Sequence, residues 1–158
     1  MHTEQNLTYV TEGPLTKHQV LEKASAILAE QLIHSDAYCE PAKTKAFLEF
    51  KLAHYEREVF GVMLLDNRHC LIDYQELFFG SISSASIYPR EVVKTVLKEN
   101  AAAVIFAHNH PSGDASPSTA DKQITQRLVD ALQLIDVRVL DHIIVGHESV
   151  SFAEQGLL

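Results

Sequence analysis

An α/β fold, one mixed sheet with helices packed on it, is what this sequence predicts, on three observations. Two seven-residue apolar runs, Val59 to Leu65 and Ala101 to Ala107, have the length and character of buried strands. Apolar residues recur at helical spacing in the segments around them. The elements read in the order α, α, β, β, α, β, α, β, β, which builds one sheet with helices against it. A chain of 158 residues holds one domain with a real core, and its 46% apolar and 22% charged residues are ordinary for a globular protein.

Residues 1 to about 14 read as a loose arm closing on "EGP". A first helix runs from Thr16 to Ile33, with Val20, Leu21, Ala24, Ile27, Leu28 and Leu32 on one buried stripe. A second runs from Pro41 to about Tyr55, with Phe47 and Phe50 on its inner side. Val59 to Leu65 is a strand, "DN" at 66–67 a turn, and Cys70 to Phe79 the antiparallel return. "SISSAS" is a loop. Pro89 suits the first turn of a third helix, whose apolar face is Val92, Val93, Val96 and Leu97, ending near Asn100. Ala102 to Ala107 is the third strand. A fourth helix spans about Pro117 to Leu134, with Ile124, Leu128 and Leu132 at i, i+4, i+8. Residues 137–146 and 149–153 are the last two strands.

Charge and composition exclude several classes of function. The net charge is −8, with 13 basic residues against 21 acidic ones and no basic run. Binding that works by neutralising phosphates is therefore disfavoured, and nucleic acid is not the expected partner. No apolar run approaches a membrane span, and the polar N-terminus has no apolar signal core, so neither a membrane nor export is expected. Cys39 and Cys70 form no C-x-x-C pair and read as reduced thiols of a cytoplasmic protein.

The chemistry concentrates in "HNHPSGDASPSTAD", His108 to Asp121. Strand residues two apart share a face, so His108 and His110 can aim two imidazoles at one point. Asp121 lies three before Ile124 and seven before Leu128, on the apolar stripe of its own helix. A carboxylate there must be paired or bound to a metal. Two neutral histidines and one carboxylate leave zinc net positive, with an open fourth position for an acidified water, as in catalytic sites. Ser118, one helical turn before Asp121, puts a hydroxyl near the same spot as an oxyanion donor. Glu58, at the start of the first strand, can serve as general base, with Glu56 of the same parity as a rival. Plainer readings stand beside these. Ser118 and Asp121 also fit a capping box, and His-x-His recurs by chance in a chain with nine histidines. Asp114 competes as the carboxylate, though Gly113 beside it suits a turn. His142 reads as a satisfied core histidine, and His54 and His69 as surface or turn residues.

The spacing H-x-H-x7-S-x2-D, matched by His108, His110, Ser118 and Asp121, resembles the metal-binding pattern of the JAMM (JAB, MPN+) metalloproteases. That family's upstream E-x-x-G is matched by "EVFG", which selects Glu58 over Glu56. More narrowly, "HNHPSGD", "SASIYPREVVK" and "VLDHIIVG" resemble the bacterial RadC family over about residues 40 to 158. The resemblance implies a JAB1/MPN α/β fold, related in architecture to cytidine deaminases. It implies zinc on His108, His110 and Asp121, and amide or isopeptide hydrolysis, with Glu58 as acid/base and Ser118 steadying the tetrahedral intermediate. It divides a single globular chain into an N-terminal arm and helix, residues 1–40, and a JAB-like domain, residues 41–158. Long RadC members begin with a helix-hairpin-helix-like region. Residues 1 to 40 are too short for one, so a short stand-alone form is expected. The family's DNA-repair label finds no support in this acidic chain.

Two functions follow as expectations. One is a zinc-dependent peptidase or isopeptidase acting on a peptide or protein. The other is an accessory module in a DNA-repair, DNA-maintenance or phage-defence assembly, which would keep its role without Glu58. Nucleobase deamination fits less well, because it uses cysteine ligands in a P-C-x-x-C signature, and neither Cys39 nor Cys70 lies in such a pattern.

Overall fold

Seven consecutive apolar residues make β1, Val59–Leu65, and all seven are buried because helices cover both faces of the sheet. In the computed structural model the described residues are 8–81 and 87–158. The start of the arm and most of the "SISSAS" loop lie outside them. β2, Leu71–Phe79, returns antiparallel to β1 after the Asp66 turn, whose carboxylate accepts the backbone N–H of Arg68 and Cys70. β3, Ala103–Asn109, pairs antiparallel with β1, and β4, Arg138–Val145, pairs parallel with β3. The sheet order is β2-β1-β3-β4-β5, with β5 the two-residue strand Val150–Ser151.

Alternation sorts the core into two layers. Val59, Met63, Leu65, Ile105 and Ala107 face α2, Pro41–Leu52, where Phe47, Leu48 and Leu52 meet them. Phe60, Val62, Leu64, Val104 and Phe106 face α3, Pro89–Lys98, and α4, Thr119–Gln133, through Val92, Val96, Ile124, Leu128 and Leu132. Fully burying a side chain of this size contributes about 1.5–3 kcal/mol, so both layers matter to stability. Gly61 sits where the ring of Tyr74 crosses β1, and a Cβ there would collide with that ring. The glycine of E-x-x-G is thus a packing requirement on the layer away from α4.

Several boundaries differ from the sequence reading. α1, Lys17–Ile33, is capped by Thr16 and Gln19, but Val20 is exposed and Ser25 takes its place on the buried stripe. α1 lies on α2, so only a narrow face is covered. α2 ends at Leu52, short of Tyr55, and Phe50 is only half-buried. Leu97 is exposed on α3. β3 runs on to Asn109, and β5 shrinks to Val150–Ser151 before the chain turns. Among the described residues, no helix is long and apolar enough to cross a membrane.

Candidate metal centre

The extension of β3 decides where the histidines point. His108 falls on the α4 face, opposite Phe60 in the β1–β3 register, with the two rings stacked. His110 follows just past the strand, and its Nε2 lies 3.0 Å from Nε2 of His108. α4 brings Asp121 to the same point, with Oδ1 3.2 Å from His108 Nε2 and Oδ2 3.5 Å from His110 Nε2. His108 and Asp121 are buried. The intervening loop is held in place: Gly113 N–H donates to the His110 carbonyl, and His147 N–H to the Gly113 carbonyl. Gly113 adopts φ +86° with the His147 ring against it, so only glycine fits.

Ser118 and Asp121 form the capping box as well. Ser118 is the N-cap of α4, its hydroxyl oxygen accepting Asp121 N–H at 3.1 Å, while Ser118 N–H donates to Asp121 Oδ2 at 2.7 Å. The cap aims the carboxylate at the histidines, and the helix N-terminus favours its charge. Asp114 is not in the cluster. Its side chain accepts from Ser116, but its carbonyl oxygen lies 2.6 Å from His110 Nδ1.

Hydrogen accounting shows what the cluster lacks. A carbonyl only accepts, so His110 carries its hydrogen on Nδ1 and its neutral form leaves Nε2 bare. The three donor atoms, one from each residue, all lie within 4.8 Å of one another. Ligands of a tetrahedral zinc, each at about 2.0–2.1 Å from the ion, sit roughly 3.3 Å apart. The spacing and donor types therefore fit a divalent cation. Charge balance agrees. Burial would push the Asp121 carboxyl up, but the adjoining imidazoles of His108 and His110 hold it well below the usual range. The Asp121 carboxylate beside it favours the charged form of His110 and pushes it up, and burial pushes His108 down. Two imidazole nitrogens and one anionic carboxylate ask for a single compact positive charge.

A cavity of about 360 Å³ opens on this cluster, lined by Glu58, Ser81, His110, Ser118 and Asp121 among others. Extending the Phe60–His108 pairing by two residues sets Glu58 across from His110. Glu56 is exposed and does not line the cavity. Of the loop expected to border the site, Ser81 lines the cavity, and residues 82–86 lie outside the described set.

Two residues with roles here escaped the sequence reading. Asn109, between the histidines, is buried on the opposite layer. Its Oδ1 accepts Val59 N–H at 2.7 Å and its Nδ2 donates to the carbonyls of Tyr55 and Arg57. It therefore clamps the segment that carries Glu58. His142 is indeed a satisfied core histidine, but its Nε2 lies 2.8 Å from His108 Nδ1, directly behind the cluster. The signal was the polar pair Asp141-His142 inside an apolar strand.

Comparison with known proteins agrees with this architecture. A family model for the RadC-like JAB domain matches residues 38–157. Two UPF0758 proteins of Vibrio cholerae are 56% and 57% identical over 150 residues, which is 95% of this chain and 95% and 96% of theirs. A UPF0758 protein of Tolumonas auensis is 54% identical over 140 residues, 88% of this chain but 62% of its own length. The match takes in the whole sheet, the strand that begins beside Glu58 and the stretch from His108 to Asp121, and by it this chain belongs to the family of RadC-like JAB domains.

Proposed function

We propose that this chain is a zinc-dependent hydrolase of amide bonds, a peptidase or isopeptidase of the JAMM type. The observation that supports it is the convergence of His108, His110 and Asp121 at the wall of a cavity that His110, Asp121, Glu58 and Ser118 line. Two imidazoles and one carboxylate are the donor set of catalytic zinc, which keeps one position open, rather than of closed structural sites. Zinc held there supplies a water acidified to a pKa of about 7 and polarises a carbonyl. Glu58 takes the proton from the attacking water and delivers it to the departing amide nitrogen. Ser118 uses its oxygen to cap α4, which leaves its O–H free to donate to the carbonyl oxygen as that becomes negative. His110, held through Nδ1 by the Asp114 carbonyl, keeps a fixed orientation at the cavity wall. The substrate is a peptide or protein, since a net charge of −8 opposes a polyanion.

The test is elemental analysis of the zinc-reconstituted chain, then hydrolysis of a peptide and isopeptide library by the natural sequence and Glu58→Gln. One zinc per chain is expected. Glu58→Gln should keep the zinc and lose about 10²–10⁴-fold in rate. A chain that takes up no zinc overturns the proposal.

A further inference from the structure

We propose that His142 is a positioning residue for the metal centre: with Thr125 it fixes the tautomer of His108, so that His108 presents a bare Nε2 to the ion. The inference rests on the metal-site reading above and adds a hydrogen-bond relay to it.

The direction of the relay follows from its far end. Thr125 Oγ1 lies 2.6 Å from the backbone carbonyl oxygen of Asp121. That carbonyl only accepts, so Thr125 gives it its single hydrogen. The reverse arrangement would set two oxygen lone pairs against each other at that distance. The Thr125 oxygen is also hydrogen-bonded to His142 Nδ1, and having donated elsewhere it accepts, so His142 carries a hydrogen on Nδ1. His142 is fully buried among the rings of Phe60, Phe106 and Phe152, where a charged imidazolium is disfavoured. A neutral His142 with Nδ1–H has a bare Nε2. That atom accepts from His108 Nδ1 at 2.8 Å, which leaves His108 Nε2 without a hydrogen.

The relay opposes a real competitor. Asp121 Oδ1 sits 3.2 Å from His108 Nε2, and a carboxylate there draws a hydrogen onto that nitrogen. A hydrogen on Nε2 would block the lone pair that a metal needs. The relay starts on the backbone of Asp121, crosses from α4 to β4, and ends on β3 at His108. One ligand's backbone thus sets the proton position on another ligand. Outer-shell partners of ligating histidines that fix tautomer and orientation typically change metal affinity 10–100-fold when removed.

The experiment reads tautomer and metal uptake separately on the full-length chain. Long-range ¹⁵N–¹H spectra of the metal-free protein should show His108 as the Nδ1–H tautomer. In His142→Leu it should shift to Nε2–H, and zinc affinity, measured against a chromophoric chelator, should fall about 10–100-fold. His142→Gln offers a carbonyl oxygen to His108 Nδ1 and should recover most of the affinity. Thr125→Val cuts the relay at its origin with little change in volume, and should shift the tautomer even if His142→Leu folds poorly. Finding Nε2–H on His108 in the unaltered chain overturns the proposal. So does a His142→Leu or Thr125→Val chain with unchanged tautomer and affinity. If the tautomer is as stated but the unaltered chain takes up no zinc, the hydrogen-bond relay stands, and its role at a metal centre falls together with the hydrolase reading.

Discussion

Asn109 stands between the two histidines and faces away from them. Its side chain satisfies Val59 N–H and two carbonyls on the segment leading into β1. Each buried group left without a partner costs about 1–3 kcal/mol. Asn109→Ala should therefore lower stability by on the order of 3 kcal/mol in urea unfolding. Under the proposed function it should also slow hydrolysis at least tenfold through a displaced Glu58, with zinc affinity changed far less, because none of His108, His110 and Asp121 is held by this clamp. Chelator competition beside a rate assay on one preparation checks the split. The outer histidines are legible in the sequence because strand parity alone makes them converge. The middle residue is not, because its partners lie some fifty positions earlier and only the β1–β3 pairing brings them close. His142 is hidden for the same reason: a histidine in an apolar strand looks alike whether it backs a ligand or merely fills space.

α4 begins with one hydrogen-bonded device that serves two ends. Its first turn is a capping box whose carboxylate is also the third group of the candidate metal centre, so the cap and that cluster share atoms. Ser118→Gly separates the roles, since glycine at an N-cap costs only a few tenths of a kcal/mol. The melting temperature should hardly move, while under the proposed function hydrolysis should fall about 10²-fold with the oxyanion donor removed. Thermal denaturation and steady-state rates measure the two effects. Element types and order could be read from periodicity, because β1, β3 and α4 have strongly patterned cores. The misses fall where burial depends on neighbours. Val20 and Leu97 have apolar side chains at helical spacing, yet α1 and α3 are covered on narrower faces than the pattern implies. β5 is short because Phe152 leaves the strand and its N–H bonds back to the His142 carbonyl.

Across the whole molecule, the layer opposite the candidate metal centre carries its own polar knot. Tyr55, at the exit from α2, donates to Glu76 on β2 at 2.6 Å, and Tyr74 reaches the same carboxylate. The hydrogen bond to Glu76, with burial, pushes the Tyr55 phenol up to about 12, and burial pushes Tyr74 higher still. An unfolded phenol titrates near pH ~10. Both folded values are raised, so the stabilisation is complete below pH ~10 and is lost as pH climbs through about 12 for Tyr55. Base titration followed by tyrosinate absorbance should show a late-ionising phenol that disappears in Tyr55→Phe. A different consequence comes from the placement of the three ligands. All lie in one continuous stretch, His108 to Asp121, so they stay near one another even when the chain is denatured. A denatured chain would then still compete for the ion, and some of the binding energy would go to the wrong state. Saturation at a hundred times Kd would contribute about 2.7 kcal/mol if only the native form bound. For a site built this way that figure is a ceiling, and the protection a bound cation would give against unfolding would understate how tightly the native site held it.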